Sequence, residues 1–238
     1  MPATNRPVEQ ILRAYAAEHP EATFVQVGAH DGTKMDPLRP VVLASGWRGV
    51  LIEPVPYVFA RLTERYGGNP RLRLENVAIA ETPGRAEFFY VPESTGLWHS
   101  YDALGSFRRD VVVSHTHLVP DIESRVVSEE VECVTFDQLC ERNDLDHVDM
   151  IQIDTEGYDL HILRMIDLDR RRPDIVVFEH LHMTDAERDE ARSRFRDGGY
   201  ELLSDGMDTM ALSASAAAAP EIAELLVAGR AELAAFDQ

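Results

Sequence analysis

The stretch that decides the fold is Thr23-Phe24-Val25-Gln26-Val27-Gly28-Ala29-His30-Asp31-Gly32. Phe24 to Val27 form a short, mostly apolar run, read as a buried parallel strand that breaks into a glycine-bearing turn. Gly28 and Gly32 carry no Cβ, so the backbone there can turn sharply and approach a ligand closely. Strand, glycine turn and helix, in that order, is how α/β folds present a nucleotide-like ligand at a strand's carboxyl end. The same glycines also suit a tight turn with no ligand, so the surrounding chain has to decide between the two.

Upstream, Val8, Ile11, Leu12 and Tyr15 fall at helical spacing behind Pro7, which predicts an amphipathic helix over about 5–19, ended by Pro20. Downstream, Pro37 to Ser45 reads as a helix stopped by Gly46. Val50-Leu51-Ile52 follows as a second buried strand, ending at Glu53. A carboxylate there, roughly 20–25 residues past a glycine turn, suits hydrogen bonding to a ribose diol. Pro56 to Tyr66 is a third helix, and Arg71 to Ile79 carries a strand through Asn76-Val77-Ala78. Asn76 at a strand end could face an adenine ring or simply form a turn.

Pro83-Gly84 and Ala86 to Val91 suggest the start of an inserted hairpin, and from Pro92 to about Ser128 the pattern loosens. That stretch holds Gly96, Trp98, His99, Ser100, Tyr101, His115 and His117. A structureless run of such length inside a domain reads as a functional cover over about 84–128. Glu130 to Val134 returns to strand. Thr135 with Gln138, and Thr184 with Glu187, have capping-box spacing at two helix starts. Met150 to Ile153 and Ile175 to Phe178 are further buried strands, ending in Asp154-Thr155-Glu156-Gly157 and Glu179-His180-Leu181-His182. Tyr200 to Leu203 and Thr209 to Leu212 flank Asp205-Gly206 as an antiparallel hairpin, and Ile222, Leu225, Leu226 and Leu233 indicate a last amphipathic helix. Strands alternating with helices make residues 1–238 a single α/β sandwich around a mostly parallel sheet.

Composition narrows the function classes. The 238 residues are 45% hydrophobic and carry a net charge of -19, which opposes a nucleic-acid or anionic-membrane partner. Cys133 and Cys140 fit neither a disulfide framework nor a zinc pattern and are expected as reduced thiols. No signal segment and no apolar run of membrane length stand in the sequence, so a cytoplasmic location is expected.

Three separated stretches together resemble the FkbM family of S-adenosylmethionine-dependent methyltransferases: Val25 to Gly32, Val50 to Pro54, and Val148 to Gly157, the last being the most specific. The resemblance spans roughly residues 23–182. It implies a class I, Rossmann-like methyltransferase fold with a seven-stranded sheet and a closing antiparallel hairpin. It also implies S-adenosyl-L-methionine as cofactor, bound along Gly28, Ala29, His30, Asp31 and Gly32. Gly28, Ala29 and Gly32 would cradle its methionine end, Glu53 would hold the ribose, Asn76 and Ala78 would border the adenine, and Asp154 would face the methionine or the reaction centre. The chain departs from the family pattern at Gln26, where an acid is common, and at His30, where the wider pattern often has glycine. His30 could reach the substrate side of the cofactor or point outward, and outward is the expected orientation.

Methyl transfer to a hydroxyl needs acceptor and methyl aligned, and a proton acceptor nearby. Histidine supplies that near neutral pH. His180, just past a strand's carboxyl end, is the expected base, with Asp154 positioning cofactor or acceptor opposite it and His115 or His117 next in line. Asp154, Glu179 and His180 could instead converge on a hydrated Mg²⁺-like ion, as in some natural-product methyltransferases. That divalent metal is not favoured, and no residue is assigned to it. The expected partner is a small-molecule or glycan hydroxyl acceptor, with a homodimer left open. Two other readings stand beside an O-methyltransferase: a nicotinamide-dependent reductase and a non-catalytic cofactor-binding partner protein. The reductase lacks a Gly-x-Gly-x-x-Gly turn and a Tyr-x-x-x-Lys motif, Lys34 being the chain's single lysine.

Overall fold

The computed structural model describes residues 6–33, 36–94, 97 and 101–236. Eleven strands occur among them: β1 Thr23–Val27, β2 Arg48–Ile52, β3 Leu72–Glu75, β4 Ala78–Ile79, β5 Gly84–Tyr90, β6 Gly105–Ser106, β7 Val127–Val134, β8 Met150–Ile153, β9 Ile175–Glu179, β10 Glu201–Asp205 and β11 Asp208–Leu212. The helices are α1 Pro7–Glu18, α2 Arg39–Ala44, α3 Pro56–Tyr66, α4 Arg109–Ser114, α5 Ile122–Arg125, α6 Phe136–Arg142, α7 Asp159–Met165, α8 Leu168–Arg171, α9 Asp185–Asp197, α10 Ala214–Ala217 and α11 Pro220–Phe236. None of these helices is long and apolar enough to cross a membrane.

The main sheet has seven strands in the order β10-β11-β9-β8-β1-β2-β3, with β11 antiparallel to both of its neighbours and every other pair parallel. This is the class I methyltransferase arrangement expected above. Side chains alternate between the two faces with the period of a strand. Phe24, Leu51, Met150 and Val177 pack beneath α1, α2, α3, α10 and α11, while Val25, Val50, Ile151 and Val176 pack against α6, α7 and α9. Both faces are covered, which explains why the central strands read as near-continuous apolar runs. Both capping boxes form as their spacing predicts, at Thr135 and at Thr184. Cys133 and Cys140 are buried free thiols.

Two expectations need correction. The strand predicted over Arg71 to Ile79 is two strands in two sheets. β3 ends at Glu75, and the Asn76 amide then donates to the carbonyls of Glu53 (2.8 Å) and Pro54 (3.1 Å), tying off the edge of the main sheet. β4 leaves to join a second, four-stranded sheet of order β4-β7-β5-β6. The stretch from Pro92 to Ser128 is not structureless either. Its described residues form a 3₁₀ turn at Tyr101–Ala103, then β6, α4 and α5, folded around Val91, Tyr101, Leu104, Val112, Val119 and Ile122. Its apolar residues come in runs too short to show a period, so their common core is invisible in one dimension. Gly96, Trp98, His99 and Ser100 lie outside the described residues.

Strand register positions the site. Val27 pairs with Ile52 on one side and Ile153 on the other, and Ile153 pairs with Phe178. The next residue on each strand is therefore Gly28, Glu53, Asp154 or Glu179, and all four stand along one carboxyl edge.

Candidate active site

A cavity of about 880 Å³ opens along that edge, between the main sheet and the inserted segment. That is near the upper end for ligand pockets, roughly 300–1,000 Å³. At one end lies the glycine turn. Gly28 has φ 79°, and a Cβ built there would fall 1.8 Å from the Asp154 carbonyl oxygen, so β1 and β8 can approach this closely only at a glycine. The Gly28 and Ala29 amides both donate to the Ile52 carbonyl, at 3.0 and 2.9 Å, which pins the turn to the end of β2.

Glu53 lines the cavity beside this turn and is almost fully buried. Its carboxylate accepts from the backbone N–H groups of His30 (3.1 Å) and Val55 (2.8 Å). Burial outweighs those bonds and pushes its pKa up to about 7. Val55, Ala78, Ile79 and Phe88 continue the wall as an apolar surface. Gly28, Ala29, His30, Glu53, Ala78 and Asp154 all line the cavity, whereas Asp31, Gly32 and Asn76 are not part of its lining. Asp31 instead braces the turn, accepting from the Thr33 amide (3.0 Å) and hydroxyl (2.6 Å) and from Arg65 (3.2 Å). Gly32 is held from behind by the Tyr66 hydroxyl, which donates to its carbonyl at 3.0 Å.

His30 does not point outward. Its ring is turned inward between Asp31 (3.3 Å) and Asp102 (3.3 Å), in a left-handed backbone conformation at φ 50°. Asp102 comes from the inserted segment, is buried, and also receives Arg61 at 2.8 Å, so it joins that segment to the turn and to α3. Gln26, which stands where an acid was expected, donates to Asp36 at 3.1 Å. Asp36 lines the same cavity, and burial pushes its pKa up to about 6.

The other end of the cavity is polar and acidic. Asp154 is open to solvent on its cavity side but enclosed by protein elsewhere. That enclosure, reinforced by the carboxylates of Glu156, Asp159, Asp208 and Asp36, holds its carboxyl well above the usual range. Glu179, on the neighbouring strand end, is raised by burial and by Asp154 and Glu156. It is the more buried of the two.

His180 does not line the cavity. Its amide donates to the Met207 carbonyl at 2.8 Å, continuing the pairing of β9 with β11, and its Nδ1 meets the Thr209 hydroxyl at 3.0 Å, away from the cavity lining. Burial, followed by the charges of Arg188 and Arg192, lowers its pKa. The chain turns immediately afterwards, with the Met183 amide donating back to the His180 carbonyl at 3.2 Å, and it is His182 that lines the cavity.

His182 Nε2 lies 2.9 Å from Glu156 Oε2, and His115 Nε2 lies 3.8 Å from the same oxygen. His115 reaches this point because the inserted segment packs on the Asp154–Gly157 turn. The Ser106 hydroxyl donates to the Glu156 carbonyl at 2.7 Å, and a Cβ on Gly157 would meet Val111 at 3.2 Å and His182 at 3.3 Å. His117 lines the cavity beside His115. Glu156 carried no assigned role in the sequence, although it sits in the most specific motif. His182, two residues beyond the expected base His180, is the histidine of this loop that lines the cavity.

The chain matches the family described as methyltransferase FkbM domain over residues 26–202. It belongs to that family. It is also 26% identical over 146 residues to the 2-O-methyltransferase NoeI of Sinorhizobium fredii (strain NBRC 101917 / NGR234), a match that covers 61% of this chain and 58% of that protein. Among solved structures, methyltransferase FkbM of Methylobacillus flagellatus KT is 14% identical, with TM-score 0.49 and coverage of 81% of this chain and 44% of the other. An O-methyltransferase from Bacillus cereus in complex with S-adenosylhomocysteine is 12% identical, with TM-score 0.42 and coverage of 86% and 80%. This chain therefore spans somewhat more than half of NoeI and less than half of the Methylobacillus protein. The residues present suit the nucleoside cofactor that the family implies: the Gly28-Ala29 turn lines the cavity, and Glu53 offers a buried carboxylate beside it.

Proposed function

We propose that this protein is an S-adenosylmethionine-dependent O-methyltransferase acting on a hydroxyl of a small molecule, a sugar or a natural product. The observation that carries the reading is one cavity joining two chemically distinct ends. The glycine turn, Glu53 and an apolar wall lie at one end, and a histidine–carboxylate group lies at the other. Family membership and the O-methyl specificity named for NoeI support it.

When bound, S-adenosylmethionine supplies an electrophilic methyl on a sulfonium sulfur. It would give that methyl to the acceptor oxygen and would itself leave as a neutral thioether, keeping the electron pair of its C–S bond. Glu53 would accept the ribose hydroxyls, Val55, Ala78, Ile79 and Phe88 would receive the adenine, and the Gly28-Ala29 turn would lie along the methionine part. Asp154, between the two ends, positions the reacting groups. The hydroxyl proton passes to a histidine at the polar end of the cavity. The net charge of -19 disfavours a nucleic acid as acceptor.

The test is a panel of sugar, polyketide and glycan hydroxyls incubated with S-adenosylmethionine. Formation of S-adenosylhomocysteine that depends on a hydroxylated acceptor is expected. Binding of NADH without binding of S-adenosylhomocysteine would overturn the reading in favour of the reductase.

A further inference from the structure

Three side chains from three separate segments converge at the acidic end of the cavity: His115 just past α4, Glu156 in the turn after β8, and His182 in the loop after β9. Their ligating atoms all lie within 4.8 Å of one another. Donors held tetrahedrally around an ion at roughly 2.0–2.1 Å stand about 3.3 Å apart. The spacings of 2.9 Å from His182 and 3.8 Å from His115 to the Glu156 oxygen bracket that value.

Hydrogen bonding gives a second, independent observation. Glu156 Oε2, His182 Nε2 and Glu179 Oε2 are buried, and among the described residues none has a hydrogen-bond partner. His182 and Glu156 are close enough to bond but not aligned to do so. Glu179, with its side chain only 10% exposed, brings its unpartnered oxygen to 3.9 Å from His182 Nε2. Unpaired buried polar atoms are rare and call for an explanation, and three facing one another share a single one: a cation between them. His115 adds a third observation. Its Nδ1 lies 3.0 Å from the Val111 carbonyl, which can only accept, so Nδ1 carries the proton and the Nε2 lone pair is left for the cluster. Metal-bound imidazoles are oriented in this way. Glu156 itself holds a left-handed conformation at φ 52°, a strained backbone of the kind that ligand sites retain.

We infer that His115, Glu156 and His182 bind a divalent first-row transition ion of the Zn²⁺ or Co²⁺ type, leaving an open fourth position beside Glu179. Two imidazole nitrogens and one carboxylate select such an ion over Mg²⁺ or Ca²⁺, which take all-oxygen sets. These are not the residues through which the sequence suggested a Mg²⁺-like site, since His180 faces away. The existence of the ion site stands apart from the methyl-transfer reading, but its role rests on it. The acceptor hydroxyl occupies the open position, where the ion lowers its pKa. Its proton goes to His117, which lines the cavity outside the ligand set, and from there to solvent.

The experiment uses the full chain, stripped with a chelator and titrated with Co²⁺ and, separately, with Zn²⁺. One ion per chain is expected, with visible d–d absorption for Co²⁺. His115→Ala, His182→Ala and Glu156→Gln should each weaken binding by more than about a hundredfold. S-adenosylhomocysteine binding, measured on every variant, reports folding and should stay unchanged. Absence of Co²⁺ and Zn²⁺ binding by the wild type, or equal binding by the His115→Ala/His182→Ala double variant, overturns the inference. Binding of S-adenosylhomocysteine without metal defeats the ion site alone; metal without S-adenosylhomocysteine supports the ion site and defeats the methyl-transfer reading.

Discussion

Replacement of Glu53 by alanine should change both ligand affinity and the pH dependence of stability, in amounts that follow from its surroundings. In the wild type the carboxyl rises from its ordinary 4.5 to about 7, chiefly through burial. Between those values the native chain holds a proton that the unfolded chain has lost. Stability therefore declines as pH rises through this window, and the group's contribution, roughly 3 kcal/mol in total, is fully present only below it. Alanine also removes the acceptor of two backbone N–H groups, at about 1–3 kcal/mol for a donor left unsatisfied. At about pH 8 this loss is largely offset by removing a carboxylate whose ionised form burial disfavours. At about pH 5 there is no such offset. Urea unfolding should thus show Glu53→Ala clearly less stable than wild type at pH 5 and close to it at pH 8. Calorimetry should show S-adenosylhomocysteine bound roughly 10- to 100-fold more weakly, the loss of hydrogen bonds to a charged group. A stability difference that is the same at both pH values refutes the buried-carboxyl argument, and unchanged affinity refutes the ribose contact.

Two further substitutions separate structural from chemical roles. His180→Ala should leave turnover within a few fold of wild type while lowering the urea midpoint, because its ring serves Thr209 and the β9–β11 edge; a fall in kcat of roughly 10²-fold or more would return His180 to the reaction. Gly28→Ala should lower stability by about 2–5 kcal/mol through the contact with the Asp154 carbonyl and the positive φ, as read from urea unfolding; a wild-type midpoint would show that β1 and β8 are not in such close approach.

Most of the glycine-turn end of the cavity was legible in the sequence because it depends on local rules. Strand period, glycine at a forced turn and a carboxylate one residue past β2 all act over short separations, and parallel register then lines up Gly28, Glu53 and Asp154 without further information. The capping boxes at Thr135 and Thr184 are local for the same reason. The acidic end depends on long-range contacts. Asp102 meets Arg61 across 41 residues, and Ser106 meets Glu156 across 50, so nothing near His115 in sequence marks it as a neighbour of Glu156. Which of His180 and His182 reaches the cavity depends on where β9 stops pairing with β11. His180 still pairs and faces Thr209; two residues on, past the turn, His182 faces the cavity.

The most direct measurement follows the methyl group itself. The protein is supplied with S-adenosylmethionine labelled with ¹³C in the methyl and with the hydroxylated acceptors, and the product is examined by NMR. The account predicts that the labelled carbon appears as a methyl ether on an acceptor oxygen, with S-adenosylhomocysteine formed in equal amount. Label on nitrogen or carbon, or tight S-adenosylhomocysteine binding with no transfer to any hydroxyl, would contradict it.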